Sequence, residues 1–462
     1  MRPDCSCNDF NRSQFLHRSA AQAGRGLPSI EPGMPLPAGT GIDRRAFLLR
    51  SAGAMLSVYG ASMLSPRAFE EGIAQASAAS PTQPVLVSIF MEGGWDALSV
   101  LAPVGDPSYA SLRPTLALAE GAGAAFSEDD RLMWHPSAGG LATLHGEGKV
   151  TVFPAIGYNP PDQSHFTSRH YWEVGKLDTS LLTGWMGRYL DIAGNLDNPL
   201  QGLSLDDTLA PALATARVPV AAVDSPANYN FWAYGLDDPI TDPAMQTLGA
   251  LGNLAAPSDA YAQARNASRE TSLLINQLAQ FVSPDGNPNY NSPVTYPTAG
   301  GEFPGKLAAL GAMLAAGLPI KCVSMNAVGG YDTHSDESDS LSTNLTQTID
   351  AVVAFQRDLE ARGLADRVLV QLWSEFGRRP EENGSGTDHG AAGVAFLIGT
   401  HASGSMVGEF PGLATLDDND NLRSTSDFRS LYCSLLEQWF QTDAGLVIPN
   451  ASSFARPTLL KP

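Results

Sequence analysis

Charged residues are scarce in this sequence, and basic residues are scarcer than acidic ones. Only 16% of the 462 residues are charged and 43% are hydrophobic, a composition that buries a core and excludes wholesale disorder. The chain has 48 acidic and 28 basic residues, which gives a formal net charge of −20. A surface this acidic repels nucleic acid and anionic lipid, so we exclude both as partners. An anionic substrate stays possible, because a bound metal ion inverts the local field.

Cysteines are also few, and only two of the four fall in the part of the chain that we expect to persist. Cys5 and Cys7 lie ahead of a predicted targeting segment. Cys322 lies in an apolar run and Cys433 in an amphipathic stretch. Cysteine of this kind behaves as a small hydrophobe, so we expect two buried thiols. A single disulfide between them is the open alternative.

The apolar stretch at residues 49–64 is too short and too rich in Gly and Ser for a stable membrane span. It follows the pair Arg44-Arg45 and precedes small residues at positions 74–78. Paired arginines, a weakly apolar segment and a small-x-small site are the three parts of a twin-arginine export signal. We therefore expect residues 1–78 to be removed by the export machinery, which leaves a periplasmic or extracellular protein. An ordinary helix that begins with two arginines is the alternative.

Apolar runs and helical periodicity alternate along the rest of the chain. The first run, residues 84–91, is continuously apolar and ends in Glu-Gly-Gly, as a buried parallel strand entering a tight turn does. Further strands are predicted at 150–156, 320–325, 367–373 and 394–398, and helices at 303–317, 341–359 and 428–440.

This alternation predicts an α/β fold with a mostly parallel central sheet and helices on both faces. We expect one domain over residues 79–462. Residues 200–300 differ, because they are rich in Ala, Asp, Asn and Pro and show one clear helix near 261–281. We interpret them as an elaboration on the same domain.

Ligands of an open parallel sheet bind beyond the carboxyl ends of its strands, and five predicted edges carry Asp, Glu, Ser or His there. Carboxylate oxygen and imidazole nitrogen are the ligands of divalent-metal hydrolytic sites. The edge sequences are Gly93-Gly94-Trp95-Asp96, Gln163-Ser164-His165-Phe166, Gly329–His334, Ser374–Arg378 and Gly386–Gly390.

Each polar residue at these edges also has a purely structural alternative as a helix cap, a turn residue or a solvated side chain. Residues with such an alternative are Asp96, Ser164 and Asp332 as caps, His165 and His170 as surface histidines, Asp388 and His389 in a turn, and Arg378 and Arg379 in solvent. The coincidence of five such turns favours a shared functional cleft.

The turns also carry a resemblance to a known family. The matching strings are Gly93–Leu98, Asp162–Phe166, Gly184–Leu190, Gly330–His334, Ser374–Arg378 and Gly386–Gly390. Together they resemble the twin-arginine-exported family known as domain of unknown function 1501, from about residue 84 to the end of the chain. The family has no settled activity, so the resemblance implies a fold relationship rather than a reaction.

That family is similar to the alkaline phosphatase and sulfatase superfamily, whose members hold metals beyond the strand ends beside a Ser or Thr nucleophile. The resemblance implies that Ser164 is the nucleophile and that Asp96 is the ligand after the first strand. It also implies that Asp332 and His334 bind one metal, although only one residue separates them.

Two alignments of the superfamily's Asp-His pair compete. If residue types alone are compared, Asp388-His389 matches this pair. In the superfamily, however, the pair directly follows a strand, and after the corresponding strand at 367–373 this chain has Glu375 and Phe376. We favour register, because the strand dictates where a side chain points. His389 then matches the superfamily's last histidine. The second metal site is depleted to Asp96, Ser164 and Glu375, with no histidine.

We therefore expect about one divalent metal ion per chain, bound by Asp332, His334 and His389. Asp388 is expected either to bind the metal as well or to orient His389 by a hydrogen bond without touching the metal. Glu375 and Asp96 would contribute only to a weak second site.

The expected function is hydrolysis of a small anionic phosphate or sulfate ester in an alkaline-phosphatase-like fold. Ser164 would attack, the metal would polarise the ester, and Arg169 or Arg378 would hold the anion. The alternative is a non-catalytic exported protein that uses the same cleft to bind a ligand or partner. The missing second histidine favours the alternative, and the cluster of acid, hydroxyl and imidazole favours the enzyme.

Overall fold

The computed structural model describes residues 58–59, 83–229, 243, 246–247, 249–254 and 259–461. The predicted export signal lies outside these ranges, apart from Val58 and Tyr59. All structural statements refer to the described residues.

The described chain forms a large central sheet and two small β-ribbons. The strands are β1 (Val58–Tyr59), β2 (Val85–Phe90), β3 (Leu101–Ala102), β4 (Met133–Trp134), β5 (Val150–Gly157), β6 (Gly202–Ser204), β7 (Val220–Ala222), β8 (Cys322–Asn326), β9 (Val368–Trp373), β10 (Arg378–Glu382), β11 (Thr387–His389), β12 (Gly393–Ile398) and β13 (Ser426–Asp427). The central sheet has nine strands in the order β1-β7-β6-β8-β2-β9-β12-β5-β13, and the ribbons are β3-β4 and β10-β11.

The central sheet is mostly parallel, which confirms the predicted fold class. Strands β7, β6, β8, β2 and β9 run in one direction. Phe90 pairs with Asn326 on one side and with Trp373 on the other, so β2, β8 and β9 end at one level. Strand β12 is antiparallel to both β9 and β5. The start of β12 therefore lies at the edge where the parallel strands end.

Both faces of the sheet are covered by helices. The helices are α1 (Ala97–Val100), α2 (Tyr109–Leu112), α3 (Gly139–Gly146), α4 (His165–Val174), α5 (Trp185–Ala193), α6 (Asp259–Leu278), α7 (Phe303–Ala315), α8 (Glu337–Ala361) and α9 (Phe428–Ser434). Helices α7 and α8 bury apolar residues in the core on one face, and α4, α5 and α9 do so on the other.

Strand β2 shows why the predicted strands read as continuous apolar runs. Val85, Val87 and Ile89 belong to one core, whereas Leu86 and Phe90 belong to the core on the opposite face. Side chains alternate across a strand, so a strand covered on both faces needs apolar residues at every position.

Most predicted elements are confirmed to within a few residues. Strands β2, β5, β8, β9 and β12 and helices α6, α7 and α8 form where apolar patterns predicted them. Helix α9 ends earlier than predicted, at Ser434, and continues as a wider π turn over Leu435–Trp439. Strands β6 and β7 were not predicted, although they extend the sheet within the region interpreted as an elaboration.

Cys322 and Cys433 are both free and buried, as predicted. Burial raises the pKa of Cys433 to about 11 and that of Cys322 further still, so neither thiol is activated. None of the helices in the described ranges combines the length and apolarity that a membrane span requires.

Candidate functional site

The turn after β2 forms the base of the cleft. Gly93 and Gly94 have φ values of +116° and +71°, which residues with a Cβ rarely adopt. A Cβ on Gly93 would lie 2.3 Å from the backbone nitrogen of Asp332, so the Asp332 turn packs directly on this glycine. The two backbone N–H groups donate to the carboxylate of Glu375, at 3.0 Å for each of Gly93 and Gly94.

His165 begins helix α4, directly after the turn that follows β5. Its Nδ1 atom lies 2.7 Å from Oε1 of Glu375, and this hydrogen bond is the main reason that the pKa of His165 is raised. Its Nε2 atom is buried and has no hydrogen-bond partner among the described residues. Oδ2 of Asp332 lies 3.5 Å from this Nε2 atom.

His389 ends strand β11 of the small ribbon. Its Nδ1 atom lies 2.9 Å from the backbone carbonyl of Gln163. A carbonyl only accepts hydrogen bonds, so Nδ1 carries the hydrogen and Nε2 has a free lone pair in the neutral ring. That Nε2 atom lies 3.2 Å from Oδ1 of Asp332. The Gln163 side chain also donates to the His389 carbonyl at 3.0 Å, which fixes the backbone.

His334 follows the same pattern from the turn between β8 and α8. Its Nδ1 atom lies 3.1 Å from the carboxylate of Asp388. Its Nε2 atom lies 3.1 Å from Oδ1 of Asp332 and 3.0 Å from Nε2 of His389. Donation from Asn383 is the first cause of the lowered pKa of Asp388, so Asp388 is an ionised acceptor for His334.

Asp332 is the carboxylate on which the three rings converge, and Arg378 holds it in place. Burial opposes its ionisation, but the hydrogen bond from Arg378, at 2.6 Å, and the positive charge of Arg378 lower the pKa of Asp332 to about 2. Asp332 is therefore ionised at neutral pH. Its side chain is 48% exposed, so the cluster opens to solvent.

The arrangement suits a divalent cation. Ligand atoms of His165, Asp332 and His389 all lie within 4.8 Å of one another, and His334 contacts two of these residues. Each ring is bonded to an acceptor through Nδ1 and presents Nε2 to a carboxylate. Metal-binding histidines characteristically donate their outer N–H to a carboxylate or a carbonyl in this way. Three nitrogen donors and one carboxylate are ligands that zinc and related metals take.

Residues 305–437 match the family described as Protein of unknown function (DUF1501). The match to the predicted family covers a stretch that contains Asp332, His334 and His389 but not His165. No curated protein matches the chain significantly in sequence.

Several solved structures share features of the fold at low sequence identity. The soluble domain of lipooligosaccharide phosphoethanolamine transferase A from Neisseria meningitidis is 9% identical, with 87% of this chain and 98% of that chain covered and a TM-score of 0.34. PsFucS1 sulfatase from Pseudoalteromonas sp. is 11% identical, with 87% and 78% covered and a TM-score of 0.32. Phosphonate monoester hydrolase SpPMH from Silicibacter pomeroyi is 14% identical, with 81% and 75% covered and a TM-score of 0.31. At this distance they assign no residue role and no reaction to the chain.

Asp96 does not join the cluster, which corrects its expected place in the cleft. The carboxylate is completely buried, and both of its oxygens accept hydrogen bonds from Arg113, one of them at 2.8 Å. Glu337, at the start of α8, lies beside this pair and accepts a hydrogen bond from Thr387 at 2.5 Å. Burial and the charge of Asp96 raise the pKa of Glu337 well above its usual value.

Arg378 is also corrected, because its buried guanidinium donates to acceptors of the protein from all three of its nitrogens. Its guanidinium is fully buried. Nε donates to the carbonyl of Gly94 at 2.7 Å, Nη1 to that of Thr387 at 2.8 Å, and Nη2 to Asp332 and two further carbonyls. Arg378 therefore joins three turns and orients Asp332.

Ser164 and Arg169 both lie at or on helix α4, outside the cluster of rings. Ser164 is the N-cap of α4, and its Oγ accepts from the backbone N–H of Thr167 at 3.4 Å, which is the structural alternative considered for it. Arg169 donates to Glu173 at 2.9 Å and lies 3.6 Å from Glu92. Two carboxylates thus already neutralise the cation that was expected to hold an anion.

Phe376 takes the position at which the resemblance would place a histidine. Its ring centroid lies 5.0 Å from that of His165 and 4.9 Å from that of His389. It is buried and supports both imidazoles, but it offers no ligand atom. Glu375 is also no free ligand, because both of its oxygens accept hydrogen bonds from the turn at Gly93 and Gly94.

Three contributors were missed from sequence. His165 was named at a strand edge, with a surface histidine as its alternative, but was not predicted as a ligand. Gln163 was given no role, and Arg379 was considered only as solvated. Arg379 lines an open depression of roughly 590 Å³ beside His334 and His389. The signal for His165 was its position directly after a predicted strand edge, in the same turn as Ser164.

Proposed function

We propose that this protein binds one divalent metal ion through His165, His389 and Asp332, with His334 as the fourth ligand. The observation that carries the proposal is the shared orientation of the three rings. Each commits Nδ1 to an acceptor and turns Nε2 towards the Asp332 carboxylate. Facing lone pairs beside an ionised carboxylate attract a cation, and the buried Nε2 atom of His165 has no hydrogen-bond partner within the described ranges.

The proposal is limited to one ion. A second site of the superfamily type would need the carboxylate of Asp96, which Arg113 occupies, and a histidine where Phe376 stands. Removing a buried carboxylate from such an ion pair costs several kcal/mol, about 3–5 in comparable cases, so a surface cation does not compete for it.

We further propose that the site hydrolyses a phosphate or sulfate ester. A bound divalent ion supplies Lewis-acid polarisation of the ester. Ser164 lies at the N-terminus of the ten-residue helix α4, where the helix dipole favours an ionised hydroxyl. Arg379 in the adjacent depression, rather than Arg378, is the cation that would hold the anionic group.

A non-catalytic metal- or ligand-binding protein is the second candidate. The hydrogen bonding of Ser164 favours this candidate, because its Oγ atom already caps α4. It is also favoured by the acidic lining of the depression, which includes Glu381, Glu382 and Asp388.

The metal is tested by elemental analysis of purified protein and by calorimetric titration with Zn²⁺ after chelation. We expect about one ion per chain in the wild type and loss of most of the affinity in His165→Ala, because one of four ligands is gone. His170→Ala is the matched control, since His170 lies on the same helix but outside the cluster. A wild type that binds no metal, or equal affinity in the two variants, contradicts the proposal.

The reaction is tested with phosphate and sulfate monoesters on metal-loaded protein. Ser164→Ala should keep the metal and lose hydrolysis, whereas Thr167→Ala, in the same helical turn, should keep both. Turnover that survives in Ser164→Ala would assign the attack to water. Full metal binding without turnover in the wild type would favour the non-catalytic candidate.

We also propose that the protein reaches the periplasm or the cell exterior by the twin-arginine pathway. The support is the order of the paired arginines, apolar segment and small-residue site in the sequence.

A further inference from the structure

We propose that Glu375 is a positioning residue that sets the tautomer of His165 and thereby aims its Nε2 atom at the metal site. This inference rests on the proposed metal site but concerns a residue that binds no metal itself. It replaces the expectation, drawn from strand register, that Glu375 is a ligand.

The contact between the two side chains is short and shielded. The Glu375 side chain is 1% exposed, and its Oε1 atom lies 2.7 Å from Nδ1 of His165. Oε1 already accepts from the backbone N–H of Gly93, so we infer that it also accepts from His165 and that Nδ1 carries the hydrogen. In the neutral ring the lone pair is then on Nε2, which faces Asp332.

The carboxylate is held from its other side by the turn after β2. Oε1 accepts from Gly93 N–H at 3.0 Å, and Oε2 accepts from Gly94 N–H at 3.0 Å. Consecutive backbone N–H groups in such a turn form a concave anion site. These backbone donors hold the Glu375 carboxylate in place without a metal ion, and both of its oxygens act as acceptors.

A second side chain packs against the face of the His165 ring. The ring of Phe376, the next residue in the chain, lies 5.0 Å away between centroids and is tilted by 37°. Glu375 and Phe376 thus support one histidine from its edge and its face. The strand end that was expected to supply two ligands instead supplies the two supports of a single ligand.

Glu375→Gln separates a positioning role from a merely structural one. The amide oxygen of glutamine can still accept from Gly93 and Gly94, which leaves the amide NH₂ facing His165. An NH₂ group only donates, so Nδ1 becomes the acceptor and the ring hydrogen moves to Nε2. Nε2 is then blocked for metal binding.

The first measurement is nitrogen NMR of histidine-labelled, metal-free protein at a pH where His165 is neutral, with its signal assigned by its loss in His165→Gln. We expect the Nδ1–H tautomer in the wild type and the Nε2–H tautomer in Glu375→Gln. An Nε2–H tautomer in the wild type overturns the proposal, and this result needs no variant of Glu375 to fold.

The second measurement is the Zn²⁺ affinity, which we expect to fall by about 10- to 100-fold in Glu375→Gln, as for other partners of metal-binding histidines. Glu173→Gln is the matched control, because Glu173 is a buried carboxylate on α4 that pairs with Arg169 outside the cluster. An unchanged tautomer or an affinity within twofold of the wild type refutes the inference. Failure of the wild type to bind metal would refute the proposed function alone, because the tautomer is read without metal.

Discussion

Replacing Glu337 with glutamine should make the free energy of unfolding depend less on pH. Glu337 is 1% exposed and lies beside the buried carboxylate of Asp96. Burial first, and the charge of Asp96 second, raise the pKa of Glu337 above its usual value. In the unfolded chain the same carboxyl group titrates near its ordinary pKa of about 4.3.

The sign of the effect follows from these two pKa values. Between them the unfolded chain loses the proton while the native protein keeps it, so Glu337 makes the free energy of unfolding fall as pH rises. The slope is at most about 1.4 kcal/mol per pH unit, and the interval from about pH 5 to 7 is therefore worth up to about 3 kcal/mol. Glutamine resembles the neutral acid and does not titrate, so Glu337→Gln should lack this slope.

The assay is denaturant unfolding at several pH values between about 5 and 7, in chelator so that metal binding does not contribute. We expect the variant to gain stability relative to the wild type as pH rises. Asp350→Asn is the matched control, because Asp350 is an exposed acid on the same helix, α8. A difference between Glu337→Gln and the wild type that stays constant with pH would show that Glu337 is ionised in the native protein and would refute the reasoning.

Three further changes test other parts of the structure. Arg113→Met should lower the free energy of unfolding by about 3–5 kcal/mol, since it leaves the buried carboxylate of Asp96 without its cation, and a loss below about 1 kcal/mol would contradict this. Gly94→Ala should destabilise more than Gly121→Ala in thermal unfolding; both glycines have positive φ, but only at Gly94 would the Cβ meet an aromatic ring, at 2.3 Å. Changing Arg44 and Arg45 together to Lys should leave the precursor in the cytoplasm on fractionation, and continued export would refute the predicted signal.

The strands that carry the site could be predicted because each is covered on both faces. Continuous apolar runs mark β2, β8 and β9, and their ends mark the cleft. The three-residue strands β6 and β7 leave no such pattern. The reversed direction of β12 is also invisible in its own sequence, because direction depends on which neighbours it pairs with.

The site itself was only partly predictable, for a different reason. Asp332, His334 and His389 were expected together from their turns, and the structure brings them into contact. Strand register correctly located Glu375 at the sheet edge but could not show that two backbone N–H groups already bind its carboxylate. His165 was missed because one helical residue carries no sign of where its ring points.

Asp96 and Asp388 show the same limit. Asp96 follows β2 as expected, but Arg113, seventeen positions later, turns towards it and closes it off from the cleft. Asp388 was expected as a ligand or as the partner of its neighbour His389, yet it contacts His334 from the facing turn. Both outcomes depend on contacts between segments, which the local sequence does not contain.

The site joins segments that lie far apart in the chain, so we expect it to form late in folding. Nδ1 of His165 meets Glu375 across 210 positions of the chain, and His389 meets Asp332 across 57. Ends so far apart come together only after long loops have closed, which is slow compared with local helix formation. We therefore expect a metal ion added during refolding to bind the proposed site only once the sheet is complete. The rate of metal uptake would report closure of the sheet rather than the initial collapse of the chain.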